Sequence, residues 1–320
     1  MTVLVTGASG FVGTKLLTRL SLKDVVAFGR KRPQSLESSQ YFEGEIDGES
    51  DYSSVLDGVS VIVHLAARVH VMGDSVENPL QAYRKVNTAG TINLAKQAAA
   101  AGVKRFIFIS SIKVNGESTT GGKPFTERDA HAFEDHYGQS KSEAELELQK
   151  ISNETGLEVV IIRPTLVYGP GVKANFASLM NLVSKGIPLP FGAINANQRS
   201  LVSVDNLVDL IVICITHPKA ANQTFLVSDD HDVSTSSMVR EMAKALGKSE
   251  WQVPIPVWCY IVLGKLLKKS DVVDRLTGSL QVDITHTKKT LGWTPPQTLQ
   301  AGFKQTADAF LKSKECSNRL

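Results

Sequence analysis

Residues 3–13, Val-Leu-Val-Thr-Gly-Ala-Ser-Gly-Phe-Val-Gly, constrain this chain more than any other stretch. Val3–Val5 has the β-branched, apolar texture of a buried strand. Glycines follow at Gly7, Gly10 and Gly13, and a helical pattern begins at once. A dinucleotide diphosphate needs a tight turn, a backbone it can approach, and free N–H groups at a helix start. Glycine meets the first two needs because it lacks Cβ. The loop holding Gly7, Ser9, Gly10, Phe11, Val12 and Gly13 is therefore expected to cradle the phosphates of a nicotinamide dinucleotide.

The texture that follows fits the same architecture. Short β-rich runs occur at Val25–Phe28, Val59–Leu65, Arg105–Ser110 and Val159–Arg163, with helical spacing at Gly13–Leu20, Ala82–Ala101 and Ser140–Glu154. Apolar strands alternating with helices predict an α/β, doubly wound parallel sheet covered on both faces. After Tyr168, Gly169, Pro170, Gly171, Gly186, Pro188, Pro190 and Gly192 break the pattern. The expected division is a dinucleotide-binding part over residues 1–168, with returning segments near 201–229, and a smaller C-terminal α/β substrate lobe over 169–320. No internal repeat stands out.

Composition narrows the class. Of 320 residues, 42% are apolar and 21% charged, which excludes a disordered or collagen-like chain. Lys plus Arg exceeds Asp plus Glu by only 35 − 32 = 3, which leaves no footprint for nucleic acid. The three cysteines, Cys214, Cys259 and Cys316, are odd in number and far apart. They predict neither a disulfide framework nor a metal site, and they fit a cytoplasmic setting. No signal peptide is expected at MTVLVTGASG. The greasiest segment, Val253–Leu267, is broken by Pro254 and Pro256 and is too short to span a membrane. For Pro256–Leu267 a buried helix of the smaller lobe is expected first, and a helix lying on a partner or membrane surface second.

The end of the second strand bears on the cofactor. An acidic residue there would bind the ribose 2′-hydroxyl of NAD, and an arginine suits a 2′-phosphate. The chain has Phe28-Gly29-Arg30-Lys31-Arg32. A guanidinium can hold phosphate with paired hydrogen bonds. NADP(H) is therefore preferred over NAD(H), with Arg30 as its main contact.

A second cluster carries chemistry. In Tyr137-Gly138-Gln139-Ser140-Lys141 the phenol and the amine are four apart and share one helix face. A free phenol, with pKa about 10, is a poor base, and a neighbouring ammonium is expected to lower that value. Phe106–Ser111 reads as a buried strand ending in two hydroxyls, where ligands of open α/β sheets bind.

Taken together these residues resemble the short-chain dehydrogenase/reductase superfamily, in its extended branch acting on nucleotide sugars. TGASGFVG, His64-Leu65-Ala66-Ala67, Asn87-x-x-Gly90-Thr91-x-Asn93-Leu94, YGQSK, Arg163-Pro164-x-x-x-Tyr168-Gly169 and Leu291-Gly292-Trp293 follow the order of that branch over about residues 3–296. The resemblance implies Ser111, Tyr137 and Lys141 as the catalytic set. It implies Glu45 and Ile46 on the adenine side of the cofactor, and Leu65, Ala66, Ala67 and Pro164 along its groove. Ser111, Asn175, Arg199 and Arg275 would meet the substrate. A homodimer built from the helices near Ala82–Ala101 and Ser140–Glu154 is also implied.

Three reactions share that scaffold. Dehydratases of the family carry an Asp-Glu pair after the strand-end hydroxyl, and this chain has Ile112-Lys113, which do not suit that task. The basic run at Arg30 tilts the expectation to NADPH-dependent reduction of the C4 keto group of a UDP-linked 4-keto-6-deoxy-N-acetylhexosamine. Enzymes of that kind, which SSIKVNGE and GPGVKANF resemble, serve bacterial surface-polysaccharide synthesis. The alternatives are a UDP-hexose or UDP-N-acetylhexosamine 4-epimerase holding NAD tightly, and a non-catalytic NADP-binding sensor.

Overall fold

A computed structural model of the chain describes residues 1–69 and 77–317, with the side chains of residues 174, 175, 316 and 317 left aside. Ten strands form two sheets. In chain order they are β1 (Thr2–Thr6), β2 (Val25–Gly29), β3 (Tyr41–Glu43), β4 (Val59–His64), β5 (Arg105–Ile109), β6 (Glu158–Pro164), β7 (Leu166–Tyr168), β8 (Arg199–Ser203), β9 (Gln223–Val227) and β10 (Asp232–Val233). Seven of them make a sheet in the order β3-β2-β1-β4-β5-β6-β9, parallel throughout. The other three, β10-β8-β7, form a small mixed sheet.

The helices are α1 (Phe11–Leu17), α2 (Ser53–Leu56), α3 (Pro79–Tyr83), α4 (Thr91–Ala100), α5 (His136–Thr155), α6 (Ala174–Ser184), α7 (Val204–Thr216), α8 (Thr235–Ala245), α9 (Val257–Leu266), α10 (Ser270–Thr277), α11 (Thr285–Leu291) and α12 (Leu299–Ser317). Between α3 and α4 the chain winds as a π-helix over Arg84–Gly90.

The unbroken apolar strands have the expected physical cause: both faces of the large sheet are covered. Val3, Val5, Val61, Val63, Ile107 and Val160 face α1 and α7 through Leu16 and Leu207. The alternate residues Leu4, Ile62, Phe106, Phe108 and Ile161 face α4 and α5 through Leu94 and Leu148. The chain therefore has the Rossmann-like α/β architecture. A third core, with Tyr168, Phe176, Met180, Leu201, Met242 and Phe303, lies beneath the small sheet. Strand β9 joins the large sheet beside β6, whereas β8 pairs with β7 in the small one.

Buried polar contacts hold the two sheets together. Asp229 accepts hydrogen bonds from Tyr168 Oη at 2.6 Å, Ser203 N at 2.8 Å and Asn206 Nδ2 at 2.7 Å. Burial pushes the Asp229 carboxyl up, and these donors pull it partly back. Gly302 of α12 permits close packing, since a Cβ there would lie 2.5 Å from Tyr168 Oη. The loop after β5 also reaches the segment between α10 and α11: Thr119 N and Phe125 N donate to Ser279 O and Gln281 O, both at 2.8 Å.

Candidate active site

The site lies at the carboxyl ends of β1, β4 and β5. The strand order reverses between β1 and β4, which is where open α/β sheets bind ligands. Gly7 has φ +70°, a left-handed conformation that favours glycine, and a Cβ on it would lie 2.7 Å from Ala66 N. A Cβ on Gly13 would lie 2.3 Å from Gly7 O. Those two close approaches draw the loop, α1 and the Leu65–Ala67 segment into one compact corner. Gly10 is the N-cap of α1, no side chain caps the helix, and its first turn holds no acidic residue. The corner thus offers bare backbone and backbone N–H groups to an anion, and it fits the diphosphate of a dinucleotide. Ile46 packs against Gly90, where a Cβ would come within 2.7 Å of it, and Glu45 lies exposed beside it.

Arg30 lies exposed just beyond β2, and Arg32 donates to Ser38 Oγ at 2.6 Å. The basic run therefore forms a solvated loop at the strand end.

Helix α5 carries Tyr137 and Lys141. It starts at Asp135, whose carboxylate accepts from Gly138 N at 2.6 Å, and it ends at Gly156 in the left-handed conformation. Two of its turns are bonded to the end of β5. Lys141 Nζ donates to Ile109 O at 2.9 Å, and one turn on, the Glu145 carboxylate accepts from Ser110 Oγ. At the other end Lys113 Nζ meets Asp135 at 2.6 Å and Glu117 at 2.7 Å. These clamps bring Tyr137 to the strand end that carries Ser111. Ser111 itself accepts from Lys113 N at 3.2 Å. Gly138 has no room for a Cβ, which would lie 2.8 Å from Lys113 O.

The electrostatics differ in one respect from the sequence expectation. Lys141 is only 1% exposed, and burial pulls its pKa down to about 7, against the opposing pull of Glu145. Tyr137 is half-buried, yet burial, with the nearby Asp135 carboxylate and Tyr83, pushes its phenol up. The expectation that Lys141 lowers the phenol is thus corrected. An ammonium that is itself about half neutral near pH 7, and that is bonded to Ile109 O, offsets little of the burial cost. Lys113 behaves oppositely: burial pulls it down, but Asp135 and Glu117 outweigh this and hold it above the ordinary lysine range.

Several residues of the site were not singled out from sequence. Asn87, fully buried in the π-helical turn, donates to Arg68 O and to Ser140 Oγ, both at 3.0 Å, and accepts from Arg68 N at 2.8 Å. It joins the loop after β4 to helix α5. His64 lies between Thr6 Oγ1 at 2.7 Å and Thr91 Oγ1 at 3.0 Å, and burial, with Lys141, pushes it down to about 3. It is neutral and structural. Beneath α5, Arg163 binds Glu145, with its closest contact 2.5 Å, as well as Asn115 Oδ1 at 2.9 Å and His131 at 2.8 Å. The asparagine and the histidine are visible as motif letters, but the Arg163–Glu145 pair carries no local sequence signal.

At the start of β8, Arg199 donates to Arg275 O at 2.6 Å and Gly278 O at 3.1 Å. The structure therefore brings Arg199 to the backbone of Arg275, whose side chain is exposed. Burial pulls the Arg199 guanidinium down. Asn175 lies in the first turn of α6, and its side chain is outside the described residues. Pro164 closes β6 and pairs with Val227.

The fold and the bare glycine corner define a dinucleotide-dependent enzyme of the Rossmann type. The model of the NAD dependent epimerase/dehydratase family matches residues 3–228, and the chain belongs to that family. It is 63% identical over 314 residues to a UDP-glucose 4-epimerase of Vibrio cholerae, covering 97% of this chain and 96% of that one. It is 29% identical to an N-acetyl-alpha-D-glucosaminyl-diphospho-ditrans,octacis-undecaprenol 4-epimerase of Escherichia coli O157:H7, covering 95% and 93%. In fold it is similar to the crystal structure of a UDP-glucose 4-epimerase with UDP-glucose from Thermotoga maritima, with TM-score 0.78, 22% identity, and coverage of 98% and 100%. The likeness extends to a UDP-glucuronic acid 4-epimerase from Bacillus cereus in complex with NAD, with TM-score 0.76, 21% identity, and coverage of 98% and 99%.

The Vibrio cholerae relative overturns the expected ketoreductase. That expectation rested on the Arg30–Arg32 run, which is an exposed loop, whereas near full-length identity at 63% links the chain to an epimerase.

Proposed function

We propose that the protein is a UDP-hexose 4-epimerase that retains NAD through its catalytic cycle. The observation that carries this is the near full-length identity to the Vibrio cholerae UDP-glucose 4-epimerase. The basic run read from sequence as a grip for NADP gives way to NAD, in line with the family's description and with the NAD held by a solved relative. The corner at Gly7, Ser9, Gly10, Phe11, Val12 and Gly13 would hold the diphosphate. Ile46, with Glu45 at its edge, would flank the adenine, and Leu65, Ala66, Ala67 and Pro164 would line the groove. When bound, the dinucleotide supplies a hydride acceptor and returns that hydride.

In this reading Tyr137, held as the phenolate by the positive charge of a bound NAD together with Lys141, takes the proton of the sugar's C4 hydroxyl and gives one back to the same oxygen when the ring has turned over. Ser111 hydrogen-bonds that oxygen. Lys141 supports Tyr137 and reaches the dinucleotide's ribose. Arg199 and Arg275, with Asn175, would bind the UDP diphosphate, since guanidinium groups suit phosphate oxygens. This remote binding holds the reacting carbon in place while leaving the sugar free to rotate. Residues 1–168 with 201–229 would serve the dinucleotide, and the remainder the nucleotide sugar.

The protein would work as a homodimer, pairing α4 and α5 with their counterparts. Leu146, 48% exposed on the outer face of α5, supports that pairing. The cytoplasm is its setting, in keeping with free thiols at Cys214 and Cys259. Among the described residues no helix is long and apolar enough to cross a membrane.

Incubating the purified protein with UDP-galactose, and separately with UDP-glucose, without added cofactor tests the proposal. The expected result is one equilibrium mixture from either side. Absence of product from both substrates would refute it.

A further inference from the structure

Among the described residues, helix α9 leaves more large apolar side chains in solvent than any other helix. Trp258, Ile261, Val262, Leu263, Leu266 and Leu267 are all exposed, Trp258 by 66% and Leu266 by 77%. Single exposed apolar residues are ordinary, but a contiguous group marks an interaction surface. The helix touches its neighbour α10 through its one buried residue, Gly264, where a Cβ would lie 2.6 Å from Val273 Cγ2. Val257 and Tyr260 pack against the third core and the glycine contact holds the helix to α10, while the other large side chains stay outside.

The charges around this surface select its occupant. From Trp251 to Ser270 the sequence holds three cations, Lys265, Lys268 and Lys269, and no acidic residue. All three are exposed, and none is ion-paired among the described residues. At helical spacing, Trp258, Ile261, Val262, Lys265 and Leu266 share one stripe, and Lys268 and Lys269 follow at its basic end. A second copy docked through the same stripe would bury Lys265, which sits within it, and the segment Trp251–Ser270 offers no acidic residue to pair with it. An anionic lipid surface suits both features. Indole and leucine side chains enter the region where headgroups meet acyl chains, and lysines extend to the phosphates. The helix has ten residues, too few to span a bilayer, so it would lie in the interface.

We propose that α9 and the lysines at its end dock the protein on an anionic phospholipid surface. This rests on surface chemistry alone and stands apart from the proposed reaction. The test uses the full chain with vesicles of phosphatidylcholine, alone or mixed with phosphatidylglycerol. The protein should sediment with the mixed vesicles at least about tenfold more tightly than with phosphatidylcholine alone, and salt should weaken the binding. Its tryptophan emission should shift to the blue, and a Trp258→Phe variant should lose most of that shift. A Trp258→Ser/Leu266→Ser pair and a Lys265→Glu/Lys268→Glu/Lys269→Glu triple should each lose at least about tenfold in binding, with circular dichroism unchanged. The charge triple leaves the helix's apolar contacts intact, so it separates docking from misfolding. Any of three results would overturn the proposal: no wild-type binding to mixed vesicles, equal binding by the charge triple, or a dimer that the apolar pair abolishes.

Discussion

Lys141 condenses the physics of the site into one side chain. Burial costs it charge, and a backbone carbonyl, Ile109 O, accepts the proton it keeps. Its pKa, about 7 in the folded protein, returns to the ordinary lysine value on unfolding. Between those values the unfolded chain binds more protons, so stability rises with pH over that window. Wild type should therefore gain about 2 kcal/mol on a Lys141→Met variant between pH 7 and 9. Urea unfolding at the two pH values measures this, and a constant difference would contradict it. Tyr137→Phe should lower turnover by about 10²–10⁴-fold while the protein keeps its dinucleotide, as judged by the nucleotide released on denaturation. Both residues were legible in the sequence as a Tyr–Lys pair one helical turn apart. Their proton affinities were not, because these depend on how deeply Phe108, Tyr83 and Asp135 enclose them, which spacing does not encode.

At the scale of elements, the site depends on two close fits. Gly13→Ala would push a methyl to 2.3 Å from Gly7 O and 2.7 Å from Ala8 Cα. The loop must then open, at a cost of about 1–3 kcal/mol, and the purified variant should carry much less dinucleotide than wild type. Asn87→Ala would remove three buried hydrogen bonds, two to the backbone of Arg68 and one to Ser140 Oγ. That should destabilise the protein by about 2–3 kcal/mol in urea unfolding and also slow turnover, because Ser140 precedes Lys141. The long strands were legible because double-sided burial makes them uniformly apolar. The periodic pattern of Ala82–Ala101 predicted one plain helix. Instead, a π-helical turn at Arg84–Gly90 turns Asn87 toward Arg68 and Ser140, a tertiary demand that local pattern does not record. Strands β7 and β10, of three and two residues, are too short to show a pattern, and β8, as long as β1, takes its pairing from partners distant in sequence. Arg163 was legible as a motif letter at a strand end, but its ion pair with Glu145, eighteen positions away under α5, was not, because the contact is made only by the tertiary fold.

At the scale of the whole molecule, a large parallel sheet carries the candidate site at its strand ends, and a small mixed sheet carries Arg199, which binds the backbone of Arg275 in α10. If α4 and α5 pair between subunits, light scattering should give about twice the chain mass of 34.7 kDa. Leu146→Glu, which places a charge in that interface, should shift the protein toward monomer, and an unchanged mass would contradict this pairing. The central claim is that one carbon of the sugar is oxidised and reduced within a single binding event. UDP-galactose labelled with deuterium at C4 tests it most directly. The account predicts UDP-glucose that still carries the label at C4, formed without added cofactor and nearly abolished in Tyr137→Phe. Product that has exchanged the label for solvent hydrogen would contradict it.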